Sequence, residues 1–345
     1  MFETLLGNGL RAFWDQVNHA DPRLFGNPMT REHGWKNKFI PLAVHGDGVS
    51  FTQKGNSMMS VSMCFILATG WSWQHMFMLA LFAKVNRTYA VPHGHGTWEQ
   101  HIWLYLKLGF DALFTGIHPP LDPFGDAWPP LSKQATLAGH PICDGLYKGT
   151  IWNLDHDMEY GSNELKQPSH SGNDICLWCP ANRSDFNFRN LAPDACCRRN
   201  CYEPGEGLPL VSSHPIWTIL GVSRWTHMGD WMHTTHLGVL LHLLGNTIAD
   251  MTEAGVCFSA RTVEGRSEEF PAALEHAYDE CNETKRIQSV TPSMIGDRGK
   301  WPTLSRKGNE ASRLVHVILC MLRKLMNRTK LDKHRIATYE YTLCF

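Results

Sequence analysis

The period of the apolar positions changes several times along this chain, and each change marks an element. Phe39-Ile-Pro-Leu-Ala-Val-His45 is a nearly continuous apolar run of strand length that passes into Gly46-Asp47-Gly48, where the glycines permit a sharp bend. A strand ending in a turn is predicted, with Asp47 at its C-terminal tip or just past it. From Gly55 to Ala83 there is no Asp, Glu, Lys or Arg, a stretch long enough to cross a bilayer. Asn56, Ser57, Ser60, Ser62, Thr69, Ser72, Gln74 and His75 interrupt it, and Gly70 to His75 splits it in two. Two buried strands, VSMCFILAT and MFMLALFA, therefore fit better than a membrane span near 58–83, because central strands read as continuous apolar runs. Met58, Met59, Met63, Met76 and Met78 then read as core packing.

Helical spacing is predicted at Phe2 to Val17, at Gly96 to Gly109 (GTWEQHIWLYLKLG) with Phe110 to Gly116 prolonging it, and around LGVLLHLLGNTIADM within Trp217 to Met251. Further helices are expected at Glu268 to Asn282 and at Asn309 to Met326. Leu146 to Leu154 (LYKGTIWNL) reads as a later strand that delivers Asp155, Asp157 and Glu159. Pro119 to Pro130 and Pro292 to Pro302 read as loops, and Gly161 to Pro215 as irregular and Cys-rich. The organisation is α/β: an N-terminal segment at 1–38, the first part of a core at 39–160, a Cys-rich segment at 161–216, a helical insertion at 217–290, and a late helix with a basic tail at 291–345. The stop at Phe345 without a helix cap is what a truncated product would give.

Composition changes this picture little. The chain is 43% apolar and 19% charged, which is ordinary for a globular protein, and a formal charge of −1 means that any nucleic-acid contact must come from local patches. No basic segment followed by an apolar run and a cleavage site opens the chain. Its 11 cysteines are therefore read as reduced thiols or metal ligands, and its four Asn-x-Ser/Thr sequons as chance.

Three carboxylates and a pair of thiols carry candidate chemistry. Two-metal phosphoryl transfer needs hard oxygen ligands brought together from distant parts of a chain, and Asp47, Asp157 and Glu310 stand where elements could converge them. Among 33 acidic residues such triples are common; Asp47 also reads as a turn residue, Asp157 as a loop residue and Glu310 as a first-turn acid favoured by the helix dipole. Cys176-Leu-Trp-Cys179 has the spacing of half a zinc site, completed by His233 and His236 or by Cys196, Cys197 and Cys201, or else is two reduced thiols packed with Trp178. Asp230-Trp-Met-His233 puts a carboxylate and an imidazole on one helical face, either for a metal or for each other. His227, His236 and His242 read as satisfied core or surface residues.

Taken in order, PLAVHGDGVS, DMEYGSNEL, CLWC, DWMHTTHLGVLLHLLGN and KGNEASRLV resemble the CACTA-type and related DDE cut-and-paste transposases of plant and protist genomes, from about Pro41 to Leu322. The resemblance implies a ribonuclease-H-like mixed sheet with flanking helices and an α-helical insertion, and Mg²⁺-dependent hydrolysis and strand transfer at transposon ends. It implies Asp47, Asp157 and Glu310 as catalytic metal ligands, with Asp155 the rival second acid. Cys176, Cys179 and His233 would hold structural Zn²⁺, with Asp230 in support. It also implies DNA as partner, a homo-oligomer in the nucleus, no membrane and no small-molecule substrate. Arg306, Lys307, Arg313, Arg323 and Lys324 would line the DNA approach. The near-neutral charge and the lack of an N-terminal DNA-binding zinc finger leave a second reading, a catalytically inactive transposon-derived DNA-binding or assembly protein.

Overall fold

The apolar runs between Phe39 and Gly229 assemble into one five-stranded mixed sheet in the computed structural model. It describes residues 2–50, 57–68, 75–86, 88–91, 96–169, 171–185, 189–190, 192, 194–195, 201–202, 214–230, 232–255, 258–284, 286–287, 304, 308–325 and 337. The strands are β1 (Phe39–Ser50), β2 (Ser57–Phe65), β3 (Met76–Ala83), β4 (Lys148–His156) and β5 (His227–Gly229), in the order β3-β2-β1-β4-β5. β1 pairs antiparallel with β2, and β2 with β3; β4 runs parallel to β1, and β5 parallel to β4. The helices are α1 (Phe2–Gln16), α2 (Trp98–Thr115), α3 (Lys133–Leu137), α4 (Met158–Asn163), α5 (Leu240–Ala254), α6 (Val263–Glu280) and α7 (Gly308–Leu325).

The chain divides into two compact units, Met1–Gly229 and Asp230–Phe345. In the first, β1 sits at the centre because Phe39, Ile40, Leu42 and Val44 are all buried. The indole Nε1–H of Trp14 on α1 donates to the Phe39 carbonyl at 2.7 Å, and its ring meets Trp152 edge-on at 4.9 Å. Trp152 lies where β4 carries an extra residue opposite Leu42 and Ala43 of β1, a bulge that lets the indole turn into the core. Helix α2 starts at a reciprocal capping box between Thr97 and Gln100 and stops at Gly116, whose φ of 73° closes the last turn.

The structure revises several sequence expectations. β1 continues through Gly46-Asp47-Gly48 instead of turning there, so Asp47 lies inside a strand and pairs with Ser60. The β1–β2 ladder satisfies the backbone groups that a turn would have left to solvent, and two glycines do not outweigh it. MFMLALFA forms β3, but as an edge strand, with Met76, Phe77, Met78 and Leu81 exposed; Met76 and Met78 are not core residues, whereas Met59 is. Trp217 to Gly229, expected to be helical, instead holds short 3₁₀ turns and β5. Pro292 to Pro302 lies outside the described residues, among which no helix is long and apolar enough to cross a membrane.

The second unit is built on α5, α6 and α7. Ala311, Leu314, Val317, Ile318, Met321 and Leu322 recur at helical spacing along α7 and are buried against Leu244, Ile248 and Met251 of α5 and Phe270, Leu274 and Tyr278 of α6. A π-helical segment, Met232–Val239, leads into α5.

Candidate functional site

Parallel pairing brings the C-terminal ends of β1 and β4 to the same edge of the sheet, with His45 opposite Asp155 and Gly46 opposite His156. Adjacent strands lie about 4.8 Å apart and side chains alternate between faces. Asp47, two residues beyond His45, therefore shares a face with His45 and Asp155. The opposite face holds Tyr160, whose ring stacks on His156 and lies so close over Gly46 that a Cβ there would come within 2.4 Å of it. Cys64, paired with Ala43 of β1, is on the Asp155 side; burial and the Asp155 carboxylate raise its pKa.

Asp157 has a different local role. It is the N-cap of α4, its Oδ1 accepting the Tyr160 N–H at 2.5 Å. The Tyr160 hydroxyl is held strongly in its neutral form by burial and then by the carboxylates of Glu164, Glu99, Asp47 and Asp157. A cleft of about 190 Å³ lies beside this ring, its lining including Gly48, Ser57, Asp157, Tyr160 and Glu164, with Lys84 and Glu159 paired at 3.4 Å on its rim. Beneath it the His156 Nδ1–H donates to the Asp157 carbonyl at 2.8 Å, and His156 Nε2 faces His227 Nδ1 at 3.1 Å. Complete burial, then the neighbouring His156 and His214, hold His227 well below its ordinary pKa; burial and Lys166 lower His214 to about 4.

Cys176 and Cys179 form a sulfur knuckle. The Trp178 N–H points at Cys176 Sγ at 3.4 Å, and the Ala181 N–H is hydrogen-bonded to Cys179. Burial pushes the Cys179 thiol up to about 12; its hydrogen bond with Cys176 and the nearby Cys201 add to the rise, and the Ala181 N–H opposes it. The Trp178 indole is not packed on the thiols alone, since its Nε1–H donates to the Arg224 carbonyl at 3.1 Å and its own carbonyl accepts from Tyr202. The knuckle is thus tied to the residues just before β5, with the Arg224 guanidinium 3.9 Å from the Tyr202 ring centroid. Cys201 was one of the open partners. Cys196, Cys197 and the His233 side chain lie outside the described residues. The Asp230 to His233 spacing assumed an α-helical pitch, but His233 belongs to the π-helical segment, where Thr234 N–H reaches the Asp230 carbonyl at 2.8 Å.

In the second unit Glu310 stands in the first turn of α7. Farther along the same helix are His316 and Cys320, and with Cys281 at the end of α6 they form a candidate metal-ligand cluster, one ligand atom of each lying within 4.8 Å of the others. Among the described residues this is the one such set of three His, Cys, Asp or Glu ligands. Sequence reasoning missed it, although His316 and Cys320 carry a readable signal in their i, i+4 spacing on a helix. Cys281, distant in sequence, carries none.

No protein-family model matches this chain, and no curated protein matches it.

Proposed function

We propose that this chain is the core of a DDE-type DNA transposase, or a relic of one, with a ribonuclease-H-like fold and two-metal phosphoryl transfer at transposon ends as its activity. The observation that carries the reading is the parallel pairing of β1 with β4, which sets Asp47 and Asp155 on one face at the same edge of the sheet. The mixed sheet with flanking helices, and the helices that follow it, fit the architecture the resemblance implies.

The donor set fits Mg²⁺, because carboxylate oxygens are the ligands this hard ion prefers. Asp47 and a second acid from β4 or the turn after it would hold it, and Glu310 of α7 is the third ligand that the resemblance implies. Two such ions supply activation of water and stabilisation of the leaving 3′-oxygen. The chain's own part is to fix the carboxylates on rigid strands. For the second acid the geometry favours Asp155, which shares the Asp47 face, over Asp157, whose Oδ1 caps α4. The Cys176/Cys179 knuckle fits a structural Zn²⁺ by its two soft sulfur donors at Cys-x-x-Cys spacing, with Cys201 close by and His233 the histidine that the resemblance implies; the ion would have to displace the proton that burial holds on Cys179. DNA is the proposed partner, in the nucleus, with a homo-oligomer acting because two ends must be cut together. The exposed Arg323 and the half-buried Arg313 of α7 would contribute to the approach.

The Asp157 cap bears on a second reading, a non-catalytic DNA-binding or assembly protein, because the acid that the resemblance implies as second catalytic ligand has a folding role of its own. A nicking assay on supercoiled DNA with Mg²⁺ or Mn²⁺, beside salt-dependent DNA binding, separates the two. Metal-dependent nicking that disappears in Asp47→Asn, Asp155→Asn and Glu310→Gln, with folding unchanged, supports the enzyme. Salt-sensitive binding without nicking supports the second reading, and absence of both overturns each.

A further inference from the structure

We propose that Cys281, His316 and Cys320 form a structural zinc site that clamps the C-terminal end of α6 to α7. This does not rest on the phosphoryl-transfer reading. Two thiols and an imidazole are a soft donor set without carboxylates, the set that selects zinc over Mg²⁺ or Ca²⁺. With Zn–S near 2.3 Å and Zn–N near 2.0–2.1 Å, ligand atoms on a tetrahedral ion stand about 3.5–3.8 Å apart. The three atoms here, already within 4.8 Å of one another, close onto an ion by small side-chain rotations.

Their placement is enforced by packing that has nothing to do with metal. The buried stripe of α7 at Leu314, Val317, Ile318 and Met321 is pressed against Leu274, Ala277 and Tyr278 of α6. His316 and Cys320, one helical turn apart, therefore come to the rim of that contact. Cys281 arrives there because the last turn of α6 closes on it, its N–H donating to the Ala277 carbonyl at 3.0 Å. The cysteines are half-buried and His316 is exposed, so among the described residues three ligands are in place and the exposed side of the site admits a fourth. Deprotonation of both thiols accompanies binding, which makes affinity rise with pH.

The test is elemental analysis and Co²⁺ substitution on the full chain, purified under reducing conditions with zinc present. His316→Gln is the first variant, because an exposed side chain can be exchanged without disturbing the core; Cys320→Ser and Cys281→Ser follow. Bound zinc is expected to fall by one equivalent relative to the parent chain in each variant. Zinc affinity at this site should weaken by more than about 100-fold, since losing even an outer-shell partner costs about 10–100-fold. The same one-equivalent difference is expected in a Cys176→Ser/Cys179→Ser background, which separates this site from the knuckle. Thiolate-to-cobalt charge-transfer absorption should weaken when either cysteine is replaced. Unchanged zinc content in all three variants overturns the proposal. So does copper as the metal lost, or a Cys281–Cys320 disulfide in protein that has been kept reduced and zinc-loaded.

Discussion

A methyl group at Gly46 would meet the Tyr160 ring at 2.4 Å, so this glycine is needed for close approach and not for a turn. Gly46→Ala is expected to destabilise the chain by roughly 1–3 kcal/mol, the usual cost of overpacking, read as a lower urea midpoint with an unchanged m-value. Asp157→Ala should cost about 1 kcal/mol through loss of the α4 cap, whereas Asp157→Asn, which keeps a capping oxygen, should cost only a few tenths. That pair also tests chemistry: if Asp157→Asn folds normally yet loses nicking, Asp157 and not Asp155 is the second acid. Asp47, Asp155 and Asp157 were all legible as strand-end acids. Which of them share a face was not, because a single added residue, here the bulge at Trp152, resets the alternation of everything beyond it.

The elements were easier to find than to place. Uninterrupted apolar runs announced β2 and β3, yet burial depends on a strand's neighbours, and β3 has only one. Its exposed Met76, Met78 and Leu81 make this edge a template for self-association. Met78→Lys, at 60% exposure, should reduce concentration-dependent self-association in light scattering without lowering thermal stability. Helix α7 was legible almost to its ends, since its apolar positions follow one helical face. Leu314→Ala there is expected to cost about 2–5 kcal/mol in chemical denaturation, because the residue is fully buried in the second core. The three residues of β5 were missed: so short a strand has no period of its own and exists through its pairing with β4.

At the scale of the molecule, the buried imidazoles set how stability responds to acid. His214 and His227 are held neutral in the folded chain, and once unfolded both bind protons near pH 6.5. Below that pH the unfolded state holds more protons, so stability is full above about pH 6.5 and falls as pH drops. The loss attributable to His214 runs down to its folded value of about 4. Each histidine contributes a slope of up to about 1.4 kcal/mol per pH unit. Urea midpoints measured from pH 7.5 to 5 should decline accordingly, and His214→Gln should flatten the curve; a midpoint independent of pH over that range would refute the assignment.

The sequence by itself determined four of the five strands, most of the helices, and the identity of the acids and of the Cys-x-x-Cys thiols, because periodicity and ligand chemistry are local properties. Tertiary structure alone decided that β1 runs through Asp47, that Asp155 faces the same way as Asp47, and that Cys281 meets His316 and Cys320. Each of these is a meeting of residues far apart along the chain. Strand register and helix packing set such meetings, and local pattern does not encode them.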